Sequence, residues 1–253
     1  MESYYLLNLG LIDYHEGLEL QERLVHLRQQ EEIDDTLVLL EHQPVVTFGK
    51  GARNESTKSS LVNIPLEELQ RKVPVYDVGR GGSVTYHGPG QLVGYPILNY
   101  SRLVGRDWKS RLPLVGQMHY MAALEEVMIQ VANHYNVDVK RRPADLRRPR
   151  HIGAFYFEDG KTYKVGSVGV EIRAFPGMRV AMHGFALNVN TDMSYFELIQ
   201  SCGLPNKEDI SLGKILGQEL SMEEVRKVTA DSFSNVFGYE KVKEIELTDL
   251  LAV

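Results

Sequence analysis

A single cysteine, Cys202, occurs among the 253 residues. Disulfides within the chain and thiolate-cluster zinc sites both need further cysteines, so this count excludes them. Long apolar runs are missing too: nothing approaches the roughly 18 residues that a membrane-spanning helix needs, and no membrane association is expected. Positive charge is not in excess. The formal net charge of −6 argues against broad nucleic-acid binding. The opening MESYYLLNLG carries Glu2 and no basic n-region, unlike a secretory signal, and lacks the Arg-rich, acid-poor pattern of a transit peptide. A cytoplasmic protein is therefore expected. No internal repeat or low-complexity linker divides the chain, so residues 1–253 are expected to form one domain. With 43% hydrophobic and 25% charged residues, that domain can bury an ordinary globular core. No metal and no cofactor are expected.

Hydrophobic patterning places strands at 4–9, 36–41 and 45–48, the last two separated by a turn at Pro44. Residues 16–30 have helical spacing, with Leu20, Leu24 and Leu27 on one face. A short helix is expected at 66–71, strands at 73–78 and 91–99, and a long helix at 114–134. Met121, Leu124, Met128 and Val131 stripe that helix and read as core. Asp159-Gly160 between two alternating runs is a strong hairpin signal. A strand at 180–189 and a short helix at 194–200 follow. Ser221 and Glu224 make a capping-box start for a last helix, whose core face is Val225, Val228, Phe233 and Val236. Strands dominate the middle and helices flank it. This predicts an α+β fold with mixed, largely antiparallel sheets rather than a doubly wound parallel one.

The most unusual composition lies in RGGSVTYHGPGQLVGYP, residues 80–96. Glycine weakens strand interiors, so its density here predicts bends, or another molecule lying against the backbone. GRGGS superficially suggests a phosphate loop. Such a loop opens a helix and usually ends in Gly-Lys-Ser/Thr, whereas these glycines run into β-patterned SVTYH, so no nucleotide phosphate cradle is expected. Further segments place small residues beside chemically capable ones: KVGSVGVEI (164–172) with AMHGFALNVN (181–190), and QSCGLP (200–205). Singly they say little. His87 or His183 alone reads as a hydrogen-bonded structural histidine, Lys164 as a surface lysine of a strand, and Cys202 as a small buried hydrophobe.

Together with LLEHQPVVTFG (39–49), these segments resemble the lipoyl/octanoyl transferases. Those enzymes move an octanoyl group from acyl carrier protein to the lipoyl domains of 2-oxoacid dehydrogenases and the glycine cleavage system. The resemblance spans nearly the whole chain. It implies the α+β fold of the biotin/lipoate ligase superfamily and an acyl-enzyme thioester on Cys202, paired with Lys164. It implies that substrate is bound by Arg80, Gly81, Gly82, Ser83, Val84, Thr85, Tyr86 and His87, by Ser167, Val168 and Gly169, and by Gly184, Phe185 and Ala186. The implied partners are octanoyl-acyl carrier protein as donor, with lipoyl domains of 2-oxoacid dehydrogenase E2 subunits and the glycine cleavage H protein as acceptors. Two departures stand out. Ser201 replaces the proline usual in the family, and the connection at 174–181 is slightly long, which would reshape the rim of the pocket.

Elementary chemistry agrees with this assignment. A free thiol has a pKa of about 8.5, so only a few per cent is thiolate at neutral pH. A nearby ammonium raises that fraction, whereas the helix expected just before Cys202 presents its negative end and opposes it. Exchanging one thioester for another is nearly isoenergetic and making an amide is downhill, so no ATP is required. The attack creates an oxyanion, for which Gly203 and the small residues of 80–88 and 166–169 are candidate donors. RGGSVTYHGPG then reads as a wall of the acyl tunnel, with Thr85, Tyr86 and His87 positioning the thioester or the incoming lysine. Two alternatives stay open: an ATP-dependent lipoate-protein ligase, which would not need Cys202, and a non-catalytic acyl or lipoyl-domain binding protein. The basic run KRRPADLRRPRH, 140–151, reads either as a solvated face or as a docking patch for an acidic partner.

Overall fold

The computed structural model of the chain describes residues 2–52, 54–103, 116–142, 152–200 and 208–252. Its strands are β1 (Ser3–Ile12), β2 (Thr36–His42), β3 (Val45–Phe48), β4 (Val75–Asp77), β5 (Val84–His87), β6 (Gln91–Asn99), β7 (Val139–Arg141), β8 (Ala154–Glu158), β9 (Lys161–Phe175), β10 (Met178–Asn188), β11 (Glu208–Asp209) and β12 (Lys241–Glu244). Its helices are α1 (Tyr14–Gln29), α2 (Glu55–Ser59), α3 (Leu66–Lys72), α4 (Tyr100–Leu103), α5 (Gln117–His134), α6 (Leu212–Leu216), α7 (Met222–Phe237) and α8 (Leu247–Leu250). A 3-10 helix occupies Met193–Leu198. None of the helices among the described residues is long and apolar enough to cross a membrane.

Local chemistry sets many of the boundaries. Ser221 caps α7 by accepting the Glu224 N–H at 3.3 Å, and Gly238, with φ 70°, ends it. Asp159 and Gly160 both take positive φ, 48° and 73°, as a two-residue hairpin between β8 and β9 requires. The glycine-rich GRGGS opens no helix; it leads directly into β5, as its β patterning predicts. The helix expected at 194–200 is instead a 3-10 turn, because Ile199 already has extended backbone.

Among the described residues the larger sheet has nine strands, ordered β12-β1-β2-β6-β10-β9-β8-β7, with β11 beside β9. β1 lies parallel to β2 and β12, and β11 parallel to β9. The other pairings in this sheet are antiparallel, which gives the mixed α+β fold. Helix α1 crosses between β1 and β2, the connection that parallel neighbours need. A second sheet, β4-β3-β5, has three strands.

One face of the larger sheet is buried under α5 and α7, where Leu124, Met128 and Val131 meet Phe233 and Phe237. The methionine stripe is thus core packing. The opposite face is covered by α1 and α8 through Leu24, Val25 and Leu250. The smaller sheet has its own core, in which Val46, Phe48 and Tyr86 pack with Leu69 and Phe196. Each large apolar side chain so buried contributes about 1.5–3 kcal/mol.

Candidate active site

Strand register assembles segments that lie far apart in the chain. β9 and β10 pair so that Ser167 is opposite Ala186, Val168 opposite Phe185 and Gly169 opposite Gly184. The 80–83 loop joins this ladder through Gly81, whose N–H donates to the Val170 carbonyl at 2.9 Å. With β5, Tyr14 of α1 and Tyr95 of β6, these segments line a cleft that is open to solvent, with a cavity volume of about 60 Å³. Lys164, only 2% exposed, is in its wall.

Of the predicted substrate-binding residues, Arg80, Gly82, Ser83, Val84, Thr85 and His87 line the cleft, as do 167–169 and 184–186. Two do not. Gly81 is spent on its bond to β9. Tyr86 is out of phase with Thr85 and His87 along β5, so alternation turns it into the small-sheet core, stacked on Tyr195 at 4.6 Å. The Tyr86 side chain therefore lies in that core and not among the residues that line the cleft. The connection at 174–181 is a tight hairpin with Phe175 paired to Met178; both pack toward α1, and no residue of it lines the cleft. Ser201, Cys202 and Gly203 lie outside the described residues. The described chain leaves at Gln200, whose N–H donates to the Leu61 carbonyl at 2.8 Å, and resumes in β11, where Asp209 pairs with Lys164.

The glycines are needed chiefly because the protein presses on itself. Gly49 donates to the Ser83 carbonyl at 2.6 Å and Gly51 to that of Gly82 at 2.9 Å, so two backbone segments lie in contact. At Gly184 a Cβ would fall 2.2 Å from the Gly94 oxygen and 2.5 Å from Pro96 Cδ. Neither neighbour is a flexible side-chain end. Gly184→Ala should therefore destabilise the fold by about 1–3 kcal/mol, as overpacking does; a urea midpoint equal to the parent's would show that the ladder yields.

The cleft is lined by a fixed cation and by two imidazoles, His87 and His183, with a third, His42, behind Tyr95. Arg80 is buried, with Nη2 donating to the Thr47 carbonyl and Oγ1, both at 2.7 Å, and Nη1 to the Gly81 carbonyl at 2.9 Å. Gln91 Nε2 donates to the Tyr86 carbonyl and to Asn188 Oδ1, both at 3.0 Å, which leaves its Oε1 to accept from His87 Nδ1 at 2.6 Å. The His87 proton is thus on Nδ1, and Nε2 is the basic nitrogen. His42 Nε2 lies 2.7 Å from the Tyr95 hydroxyl. His183 has left-handed backbone, φ 55°, and its N–H donates to Gln21 Oε1 at 2.9 Å. A non-glycine residue keeps that conformation only where its surroundings over-determine it.

Burial pushes His87 down to about 3, helped by the charges of His42 and Arg80. Burial and the Arg80 charge push His183 to about 3, and burial brings His42 to about 4. All three are neutral at pH 7. An unfolded histidine titrates near 6.5, so below that pH protons bind the unfolded chain first. Stability is therefore complete above pH 6.5 and falls as the pH drops toward the folded values of 3 to 4. Each histidine contributes up to about 2 kcal/mol of loss by pH 5. Urea unfolding between pH 7.5 and 4.5 measures this, and a flat midpoint would contradict burial of neutral rings.

Tyr14 and Tyr95 were not among the residues expected from sequence. Tyr14 stands at the first position of α1, after the N-cap Asp13, and its ring lies 4.9 Å from His42 and 6.0 Å from His87. Asp13 is the one local signal that the helix begins early enough to carry it.

The family model for the lipoyl protein ligase A/B catalytic domain matches residues 13–234. An octanoyltransferase of Koribacter versatilis is 37% identical over 246 residues, covering 97% of this chain and 89% of that protein. One from Acidobacterium capsulatum is 38% identical over 239 residues, with 93% and 90% covered. One from a Thermoanaerobacter species is 35% identical over 254 residues, with 100% and 97% covered. Among solved structures, a bi-partite lipoate protein ligase of Thermoplasma acidophilum superposes with a TM-score of 0.65 at 14% identity, covering 99% of this chain and 89% of that one. A lipoate-protein ligase A bound with ATP gives 0.63 at 14% identity, with 99% and 91% covered. At that identity these two speak for the fold alone, whereas the likeness to the octanoyltransferases runs the length of both chains. The chain belongs to the octanoyltransferases of the lipoyl protein ligase A/B catalytic-domain family, and its chemistry is acyl transfer.

Proposed function

We propose that the chain moves an octanoyl group from acyl carrier protein to a lysine of lipoyl domains, through a thioester on Cys202. The observation that carries this reading is Lys164. Lysine is almost never buried so deeply unless its charge is paired, and here it is buried in the lining of the cleft, where a thiolate could share its charge. Its strand position pairs with β11, the first described strand after the Cys202 segment.

In this mechanism Lys164, as an ammonium, holds Cys202 as the thiolate. The sulfur attacks the carbonyl carbon of the octanoyl thioester, the bond from that carbon to the carrier sulfur breaks, and Lys164 protonates the departing carrier thiolate. The acceptor lysine then enters as a free amine and attacks the Cys202 thioester. The amide forms, Cys202 leaves as a thiolate, and the neutral Lys164 takes the amine's proton, which restores the starting state. His87, held near 3, is too weak a base to keep that proton. Its Nε2 instead accepts a hydrogen bond and orients the amine. Residues 167–169 and 184–186, with Val168 and Phe185 as the apolar surface between small neighbours, form the wall along which the acyl chain lies.

The expected acceptors are lipoyl domains of 2-oxoacid dehydrogenase E2 subunits and the glycine cleavage H protein, met in the cytoplasm by residues 1–253 acting as one catalytic domain. Incubation with octanoyl-carrier protein, without ATP, should add one octanoyl group to the intact mass and pass it to an added lipoyl domain. Loading that requires ATP would favour the ligase reading. Tight carrier binding with no acylation would favour a binding protein.

The basic run contributes less than its composition suggests. Arg141 is turned inward, with Nη2 donating to the Ala122 carbonyl at 3.0 Å and to Glu126 Oε2 at 2.5 Å. Lys140 pairs with Asp138 at 2.7 Å. The docking reading is carried to Arg147, Arg148 and Arg150, which lie outside the described residues. Replacing all three with alanine should slow transfer about tenfold at low salt and flatten its salt dependence. A parent rate insensitive to salt would count against docking here.

A further inference from the structure

A buried acid that the mechanism above does not use lies near Lys164. Glu125 sits on α5 between the core residues Leu124 and Met128 and is 7% exposed. Its Oε1 accepts the Gly153 N–H at 2.6 Å. Its Oε2 lies 3.3 Å from Arg141 Nε, while the adjacent Glu126 takes Arg141 Nη2 at 2.5 Å. Packing alone gives no reason for a carboxyl here, since a buried acid is harder to accommodate than an apolar side chain of the same shape.

Gly153 connects this acid to the cleft. It has φ 147°, and a Cβ on it would fall 2.5 Å from the Gly166 oxygen and 2.9 Å from Lys164 Cε. The backbone that Glu125 grips is therefore the surface against which the lysine stem rests. Burial raises the Glu125 carboxyl to about 7; the Gly153 bond and the charges of Arg141 and Lys164 pull it down, and Glu126 pushes it up. Glu125 thus changes charge close to neutral pH, within the field of Lys164.

We propose that Glu125 is a positioning residue for Lys164: it clamps the Gly153 backbone against the lysine stem and sets the charge that the lysine ammonium experiences. The proposal rests on the role given to Lys164 above. Glu125→Gln keeps an acceptor for Gly153 but cannot ionise. Alkylation of the sole cysteine by iodoacetamide, followed against pH, reads the thiolate directly. In the parent, ionisation of Glu125 should add an inflection near pH 7, because a carboxylate beside the ammonium weakens its hold on the thiolate. Glu125→Gln should remove that inflection and lower the apparent thiol pKa by about half a unit. Glu125→Ala also frees the Gly153 amide, and should slow acylation by octanoyl-carrier protein about tenfold through misplacement of the lysine.

A Glu125→Gln protein with the parent's alkylation profile overturns the proposal, whatever its melting temperature, because a merely structural role leaves that profile in place. Should Glu125→Ala fail to fold, the Gln profile decides alone. Lys164→Ala in the same assay separates the two layers. If it alkylates and acylates like the parent, the reading of Lys164 itself falls; if it is slow while both Glu125 variants match the parent, only the present inference falls.

Discussion

Cys202→Ala should abolish octanoyl transfer, with a fall of about 10⁶-fold, the size seen when a covalent nucleophile is removed. The parent should gain one octanoyl group from the carrier without ATP, labile to hydroxylamine, and the variant should gain none. The expectation is sharp because the chain has no second thiol to take over. An alanine can neither exchange thioesters nor leave as a thiolate when the amine attacks. The variant's circular dichroism and melting temperature should match the parent's. Transfer retained by Cys202→Ala in the presence of ATP would move the protein to adenylate chemistry and make the thiol incidental.

The second large effect is expected at Lys164. Lys164→Met keeps most of the stem's volume against Gly153 while removing the charge, so the packing change is small. Without the ammonium, the Cys202 thiol should return toward about 8.5, where only a few per cent is ionised at pH 7. The loss of the proton carrier adds to this, since general acid and base roles are worth about 10²–10⁴-fold. Acylation should therefore slow by at least about two orders of magnitude while the fold is preserved. An unchanged thiol titration and acylation rate in Lys164→Met would end the assignment of Lys164 as the partner of Cys202.

Elements whose cause is local were legible residue by residue. The spans at 45–48 and 91–99 are the strands β3 and β6 to the residue, and Asp159-Gly160 makes the turn that its chemistry demands. The start of α7 follows from Ser221. Elements made by a neighbour were not legible. β12 has no buried residue and exists because the edge of β1 accepts it in parallel. β7 has only three residues and is held by β8. The helix expected at 194–200 tightened into a 3-10 turn because the chain must extend at Ile199, where it bridges to Val62.

The same division runs through the site. Residue identity alone names the groups present, one thiol, a lysine opening KVGSVG, and a glycine-rich run with an arginine and a histidine; the roles given to Cys202 and Lys164 come from the resemblance to the octanoyltransferases. Only the folded arrangement decides which of them meet. The β9–β10 register sets Gly169 against Gly184, alternation along β5 withdraws Tyr86, and packing brings Tyr14, Tyr95 and His183 to the cleft and places Glu125 behind Gly153. Each of these depends on contacts between positions distant in the chain, chosen by register and by the filling of three cores, and no local pattern encodes that choice.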